Sequence, residues 1–257
     1  MGIIYSIIIL LACILGAIVG LGGGVFIRPI FDAIGYHNVL NISFFSSTAI
    51  LMMAIVSTIK KLKDGTKITP YLVIIISIGA VVGGMLGNLL LEHLVATFYA
   101  EANVQRVQIV ATVIVLSLSL ILTAKNSLRI EIKNRAFPPV LGVFLGAVAA
   151  FLGIGGGPIN VPVMMIFFGL PIKQATAYSI VIIFFSHFSR LVTMGVTIGY
   201  GYFDLPMLAF VIPAAALGGL IGAKFSKVFS DTTVKRLFMA AISAVILLNI
   251  VNGLFLV

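Results

Sequence analysis

Residues 20–29, GLGGGVFIRP, and residues 153–162, GIGGGPINVP, are nearly one phrase written twice, each inside an apolar stretch. Inside a helix, glycine costs about 1 kcal/mol and proline about 3 relative to alanine. A chain that places this phrase in two apolar runs is therefore breaking helices at two related points. Gly20, Gly22, Gly23, Gly24 and Pro29 match Gly153, Gly155, Gly156, Gly157 and Pro162 at a constant offset of 133, which also brings Ser43 and Ser46 onto Thr176 and Ser179. GGMLG at 83–87 matches GGLIG at 218–222, and VQRV at 104–107 matches VKRL at 234–237. An internal repeat of this length defines the architecture: a first repeat over 1–124, a linker over 125–136, and a second repeat over 137–257.

The surroundings fix the solvent. Of the 257 residues, 61% are hydrophobic and only 9% charged, with a mean hydropathy of +1.26; soluble domains sit near 45–50% apolar and about 25% charged. Apolar runs fall at 3–21, 40–59, 70–91, 104–124, 137–153, 174–198, 205–223 and 234–256, which is helical spanning length rather than the ten-residue alternation of a barrel. The stretches 25–34 and 158–170 after the glycines reach only about half a bilayer core. The fold class is an all-α polytopic membrane protein. No positive residue precedes the first run, which argues against a cleaved signal peptide. The single cysteine, Cys13, permits no intrachain disulfide.

The net charge of +9 reads as positive-inside bias, so no nucleic-acid partner is expected. Lys60, Lys61, Lys63 and Lys67 form one basic cluster. Lys125, Arg129, Lys133 and Arg135 form the second, in the linker, and Lys224, Lys227, Lys235 and Arg236 the third. Eight plain crossings would put the third cluster on the wrong side. If each glycine phrase is instead a hairpin tip, or separates two short crossings, all three clusters and the linker become cytoplasmic. Both termini become periplasmic, and the repeats, of about four helical elements each, are inverted with half-helices meeting near the midplane.

Broken helices serve a purpose in such folds. A helix that starts after a glycine turn aims free amides and its positive dipole end at the turn, which favours anions. A helix end contributes about 0.3–1 kcal/mol, against several kcal/mol for desolvating an anion. Charge-assisted hydrogen bonds of about 1.5–3 kcal/mol each must supply the rest. The candidate substrate-binding residues are Gly22, Gly23, Gly24, Arg28, Ser46 and Ser47 in the first repeat. Gly155, Gly156, Gly157, Asn160, Ser179, His187 and Arg190 are those in the second. Each has a plainer reading: glycines permit close helix packing, serines bond the preceding turn, and arginines snorkel. Packing is the favoured reading of Gly83/Gly87 and Gly218/Gly222, and an interfacial position that of Asp32 and Asp204.

Enzyme chemistry finds no support. Val25 stands where G-x-G-x-x-G needs its last glycine, and no glycine cluster is followed by G-K-[ST]. His37, His93 and His187 are scattered without cysteine partners, so neither metal nor cofactor is expected.

The paired glycine phrases, each followed by a serine-bearing helix, together with GAVVGGMLG and ALGGLIGA, resemble the TauE/SafE sulfite exporter family, also called the toluene-sulfonate uptake permease superfamily. The resemblance covers essentially the whole chain. It implies a transporter of small sulfur-containing anions (sulfite, sulfonate or sulfoacetate) in a bacterial or archaeal inner membrane, with Gly22–Gly24, Gly155–Gly157 and their polar neighbours at the site; alternating access is the expected mechanism. Arg28 and Asn160 depart from the apolar residues expected there. Export is the favoured direction. Uptake of another organic anion and a non-transporting scaffold subunit remain the alternatives, and homo-oligomerisation stays open.

Overall fold

The computed structural model describes residues 1–98, 101–125, 130, 136–152 and 155–255. Gly153, the linker residues Arg129, Lys133 and Arg135, and the side chain of His93 lie outside the described residues. The described residues form α-helices and two short 3-10 turns, with no strand among them. The helices are α1 (Gly2–Val19), α2 (Gly24–Ile34), α3 (Val39–Lys63), α4 (Pro70–Phe98) and α5 (Glu101–Ala124), then α6 (Phe137–Leu152), α7 (Gly157–Phe167), α8 (Ile172–Thr197), α9 (Leu208–Val228) and α10 (Asp231–Phe255). Seven candidate spans among them are long and apolar enough to cross a membrane; α6 and α7 are shorter apolar helices. The half-length elements α2 and α7 have 11 residues each.

Local sequence explains these boundaries. Gly20 closes α1 with φ 75°, a left-handed cap that glycine adopts without steric cost, its amide bonded to the Gly16 carbonyl. Asn38 opens α3 by accepting a hydrogen bond from the Asn41 amide.

Side-chain contacts fix the helix directions. Ser6 of α1 bonds the Phe210 carbonyl of α9, and a Cβ on Gly222 would overlap the Ile14 carbonyl, so α1 and α9 run parallel. Helix α3 runs with them, since Asn41 accepts from the Asp204 amide just before α9 and Lys61 reaches Ser226 near its end. Helix α2 runs back along α1: Phe31 stacks on Tyr5 with centroids 3.8 Å apart, and His37 lies 3.1 Å from the Tyr5 hydroxyl. Helix α8 opposes α3, with Thr176 at Lys61 and the chain just after α8 at Asn38, through Tyr202.

The GxxxG pairs are packing devices. A Cβ on Gly83 or Gly87 of α4 would overlap the Val143 or Ala147 carbonyl of α6, and one on Gly146 the Ala80 carbonyl of α4. Gly218 and Gly222 meet α1 at Leu10, Cys13, Ile14 and Ala17 in the same manner. Without a hydrophobic force between helices in lipid, such backbone approach is what holds them. The first helix of each half thus packs on the fourth helix of the other.

Lysines gather where α3 ends and α8 begins. Asp64 there accepts from Lys60 at 2.9 Å and Lys227 at 3.0 Å, and these bonds hold its carboxyl below the usual carboxylate value. The tie therefore contributes in full above that ordinary value and is lost as pH falls through the lowered one. Thermal midpoints of wild type and Asp64→Asn are expected to differ at pH 7 and to converge on acidification below about pH 4.

Candidate functional site

The two glycine phrases touch. A Cβ on Gly157 would overlap the Leu21 carbonyl, so the break before α7 crosses the break after α1 backbone to backbone. Gly22 and Gly155 take left-handed φ of 70° and 73°, which only glycine accepts readily. A Cβ on Gly24 would meet Ser46 Oγ and the Ile50 side chain, so the start of α2 lies against the eighth and twelfth residues of the 25-residue α3. That is well inside the layer defined by the long helices.

A cavity of about 560 Å³ opens beside this crossing, and a second of about 20 Å³ lies within it. Gly24, Arg28, Gly155, His187 and Arg190 line both. The small one adds Gly22, Ser43, Ser46 and Ser47. Its size suits one water-sized group, such as a single oxygen of a bound oxyanion. His187 is only 5% exposed; its Nδ1 and the Ser47 Oγ are buried with no protein hydrogen-bond partner. Buried polar atoms are normally satisfied, so these two atoms, both from residues lining the small cavity, suit a ligand that supplies oxygens.

The backbone adds donors on one side only. The Phe26 and Ile27 amides both bond the Gly23 carbonyl, so the first turn of α2 leaves over the amides of Gly24 and Val25. In α7 the Ile159 and Asn160 amides take the Gly156 carbonyl, while Pro158 has no N–H to give. The second half-helix therefore starts with one donor fewer, and its Gly157 is pressed against Leu21 rather than facing the cavity.

Arg28 and Arg190 bring two guanidiniums to the larger cavity, where Asp32 is the only carboxylate among the lining residues. Asp32 is 3.8 Å from Arg28 with both side chains partly exposed, a pairing too weak to neutralise it fully. Arg190 makes no ion pair among the described residues and is exposed to the cavity.

Several candidates lie away from the cavity. Gly23 faces the Ala12 backbone and the Cys13 Sγ in α1. Asn160 is buried beside Gly156. Ser179 Oγ donates to the Gly20 carbonyl at 2.6 Å, joining the halves, although its repeat counterpart Ser46 lines the small cavity. Asp204 lies 3.4 Å from His37, and Asp32 is on the wall of the larger cavity. Gln108, Thr112, Ser186, Ser189, Thr193 and Asn249, none of them a candidate from sequence, complete the polar lining. Ser186, Arg190 and Thr193 are spaced i, i+4, i+7, a polar stripe down one face of an apolar helix and a signal legible in advance.

The larger cavity sits away from the lysine-rich end. Its lining takes in α2 from Gly24 to Asp32, the middle of α4, the early part of α5 and the late parts of α6, α8 and α10. The lysine-rich end holds the close of α5 and the opening of α10, where Lys235 donates to the Ala124 carbonyl.

The family described as sulfite exporter TauE/SafE matches residues 5–248. A probable membrane transporter protein, MamO, of Paramagnetospirillum magneticum is 32% identical over 120 residues, covering 45% of this chain and 19% of MamO. A probable membrane transporter protein, YunE, of Bacillus subtilis is 29% identical over 119 residues, covering 45% of this chain and 42% of YunE. The chain thus spans less than half the length of these curated relatives. No solved structure matches it.

Proposed function

The chain belongs to the sulfite exporter TauE/SafE family, a family of membrane transporters, and on that premise we propose that it carries a small sulfur-containing anion of the sulfite, sulfonate or sulfoacetate type out of the cell. The carrying observation is the unpartnered pair, Ser47 Oγ and His187 Nδ1, set between two glycine breaks and under two guanidiniums. One or two helix ends at about 0.3–1 kcal/mol each cannot offset the several kcal/mol of anion desolvation. Charge-assisted bonds from Arg28 and Arg190, with the serine hydroxyl and the Gly24 and Val25 amides, can. Two guanidiniums opposed by one carboxylate leave an excess suited to a singly charged anion. A polar cavity walled by glycine backbone also favours a transporter over a scaffold subunit.

The helix directions support reading the halves as inverted repeats, with α1 and α9 running one way and α4 and α6 the other. If the lysine-rich end is cytoplasmic, the larger cavity faces the periplasm of an inner membrane, and the hydrogen bonds at the lysine end close the opposite side. Alternating access would then break those bonds and close the outer cavity, passing the anion across the glycine crossing. No catalytic step, cofactor or metal enters this reading.

Thermal stabilisation of the purified protein tests it. Sulfite or sulfoacetate at millimolar concentration is expected to raise the midpoint, and choline at equal ionic strength is not. Stabilisation by cations and by no anion would reject the assignment. Reporter fusions at both termini are expected to read as periplasmic, and a cytoplasmic C-terminus would reject the inverted-repeat topology.

A further inference from the structure

Lys61 is only 4% exposed although its side chain ends in an ionisable amine. Its Nζ bonds Thr176 Oγ1 at 3.2 Å and Ser226 Oγ at 3.1 Å, and among the described residues no carboxylate lies within ion-pair distance. Asp64, the acid nearest in sequence, is held by Lys60 and Lys227. Thr176 spends its own hydrogen on the Lys173 carbonyl, so it only accepts from Lys61. An ammonium has three donors, and two hydroxyls leave one unassigned. A buried charge is normally paired or neutralised, and neutral hydroxyls do neither.

What adjoins Lys61 is a separate cavity of about 180 Å³, lined also by Thr66, Lys173, Ser226 and Lys227. It shares no lining residue with the central cavities. Lys61, Lys173 and Lys227 line it with one carboxylate, Asp64, which pairs with Lys227 and Lys60, while Lys173 donates to the Lys227 carbonyl. The walls come from α3 and the turn after it, from α8 and from α9, so a ligand there would bridge both halves of the chain.

We propose that this cavity is a second oxyanion site, separate from the central one, in which Lys61 supplies the buried charge and Lys173, Lys227 and Ser226 complete the shell. Its ligand chemistry is a tetrahedral oxyanion such as phosphate, either free in solution or on a lipid headgroup. The site stands whether or not the central cavity binds a sulfur-containing anion.

Inorganic phosphate is the probe, with thermal stabilisation of the full-length protein as the readout. Lys61→Met is expected to weaken the phosphate response at least 10-fold, and Lys173→Gln about 3- to 5-fold. Arg190→Gln, at the central cavity, is expected to keep it. If Lys61→Met does not fold, Lys173→Gln against Arg190→Gln carries the comparison alone. A phosphate response that survives the lysine changes, or that is lost in Arg190→Gln, overturns the proposal. Nanodiscs of phosphatidylcholine with and without phosphatidylglycerol separate the sources. Stabilisation that needs the anionic lipid and disappears in Lys61→Met assigns the site to a headgroup; stabilisation by free phosphate in pure phosphatidylcholine assigns it to a soluble ion. Absence of both responses in wild type overturns it.

Discussion

Arg190→Gln is expected to weaken anion binding by about 10- to 150-fold while leaving the fold intact. Removing a hydrogen bond to a charged ligand costs about 1.5–3 kcal/mol, and each 1.4 kcal/mol is tenfold in Kd. The fold should tolerate the change because the side chain opens onto the cavity and makes no ion pair among the described residues. Arg190→Lys, which keeps the charge and loses the planar fork, should fall between wild type and glutamine. Ser47→Ala should cost less, about the 0.5–1.5 kcal/mol of an ordinary hydrogen bond. Equal sulfite affinity in wild type and Arg190→Gln, measured by calorimetry, would remove Arg190 from the site.

The second large effect is structural. Gly83→Val is expected to destabilise the protein strongly, because its first side-chain atom would sit on the Val143 carbonyl of α6. Backbone cannot yield as a flexible side chain does, and overpacking costs about 1–3 kcal/mol or more. For a chain of this size that is roughly 2–4 °C of thermal midpoint per kcal/mol. Gly84→Val is the matched control, one residue along the same helix, where an added Cβ meets nothing within 4 Å. It should keep a midpoint near wild type. Equal midpoints for the two variants would mean that α4 and α6 do not approach as described.

The same comparison of neighbours shows what sequence can convey. Helix positions followed from apolar runs because length alone decides what spans: the runs at 40–59 and 174–198 became Val39–Lys63 and Ile172–Thr197. The glycine phrases told where helices break, since the propensity cost is local. The role of each residue within the phrase was not legible. Gly23 and Gly24 are adjacent, yet one faces α1 and the other the cavity, a difference set by how the turn rotates. Repeat alignment also misled by one level. Ser46 and Ser179 occupy equivalent positions, but the crossing at Leu21 and Gly157 brings Ser179 onto the Gly20 carbonyl and leaves Ser46 at the small cavity. Pro158 removes a donor that the first half-helix keeps. Lys61 was visible only as one charge in a basic cluster; its burial depends on α8 and α9, more than 100 residues away.

Electrogenic efflux from proteoliposomes tests the central claim most directly. An anion leaving a negative interior gains about 2.3 kcal/mol per charge per 100 mV, so export needs no ATPase and no coupling ion. Vesicles loaded with sulfite and clamped negative inside with potassium and valinomycin should release it faster than unclamped vesicles, and Arg190→Gln vesicles should release little. Efflux indifferent to the potential, driven instead by a pH gradient and lost in His187→Ala, would contradict uncoupled anion export and replace it with proton-linked transport.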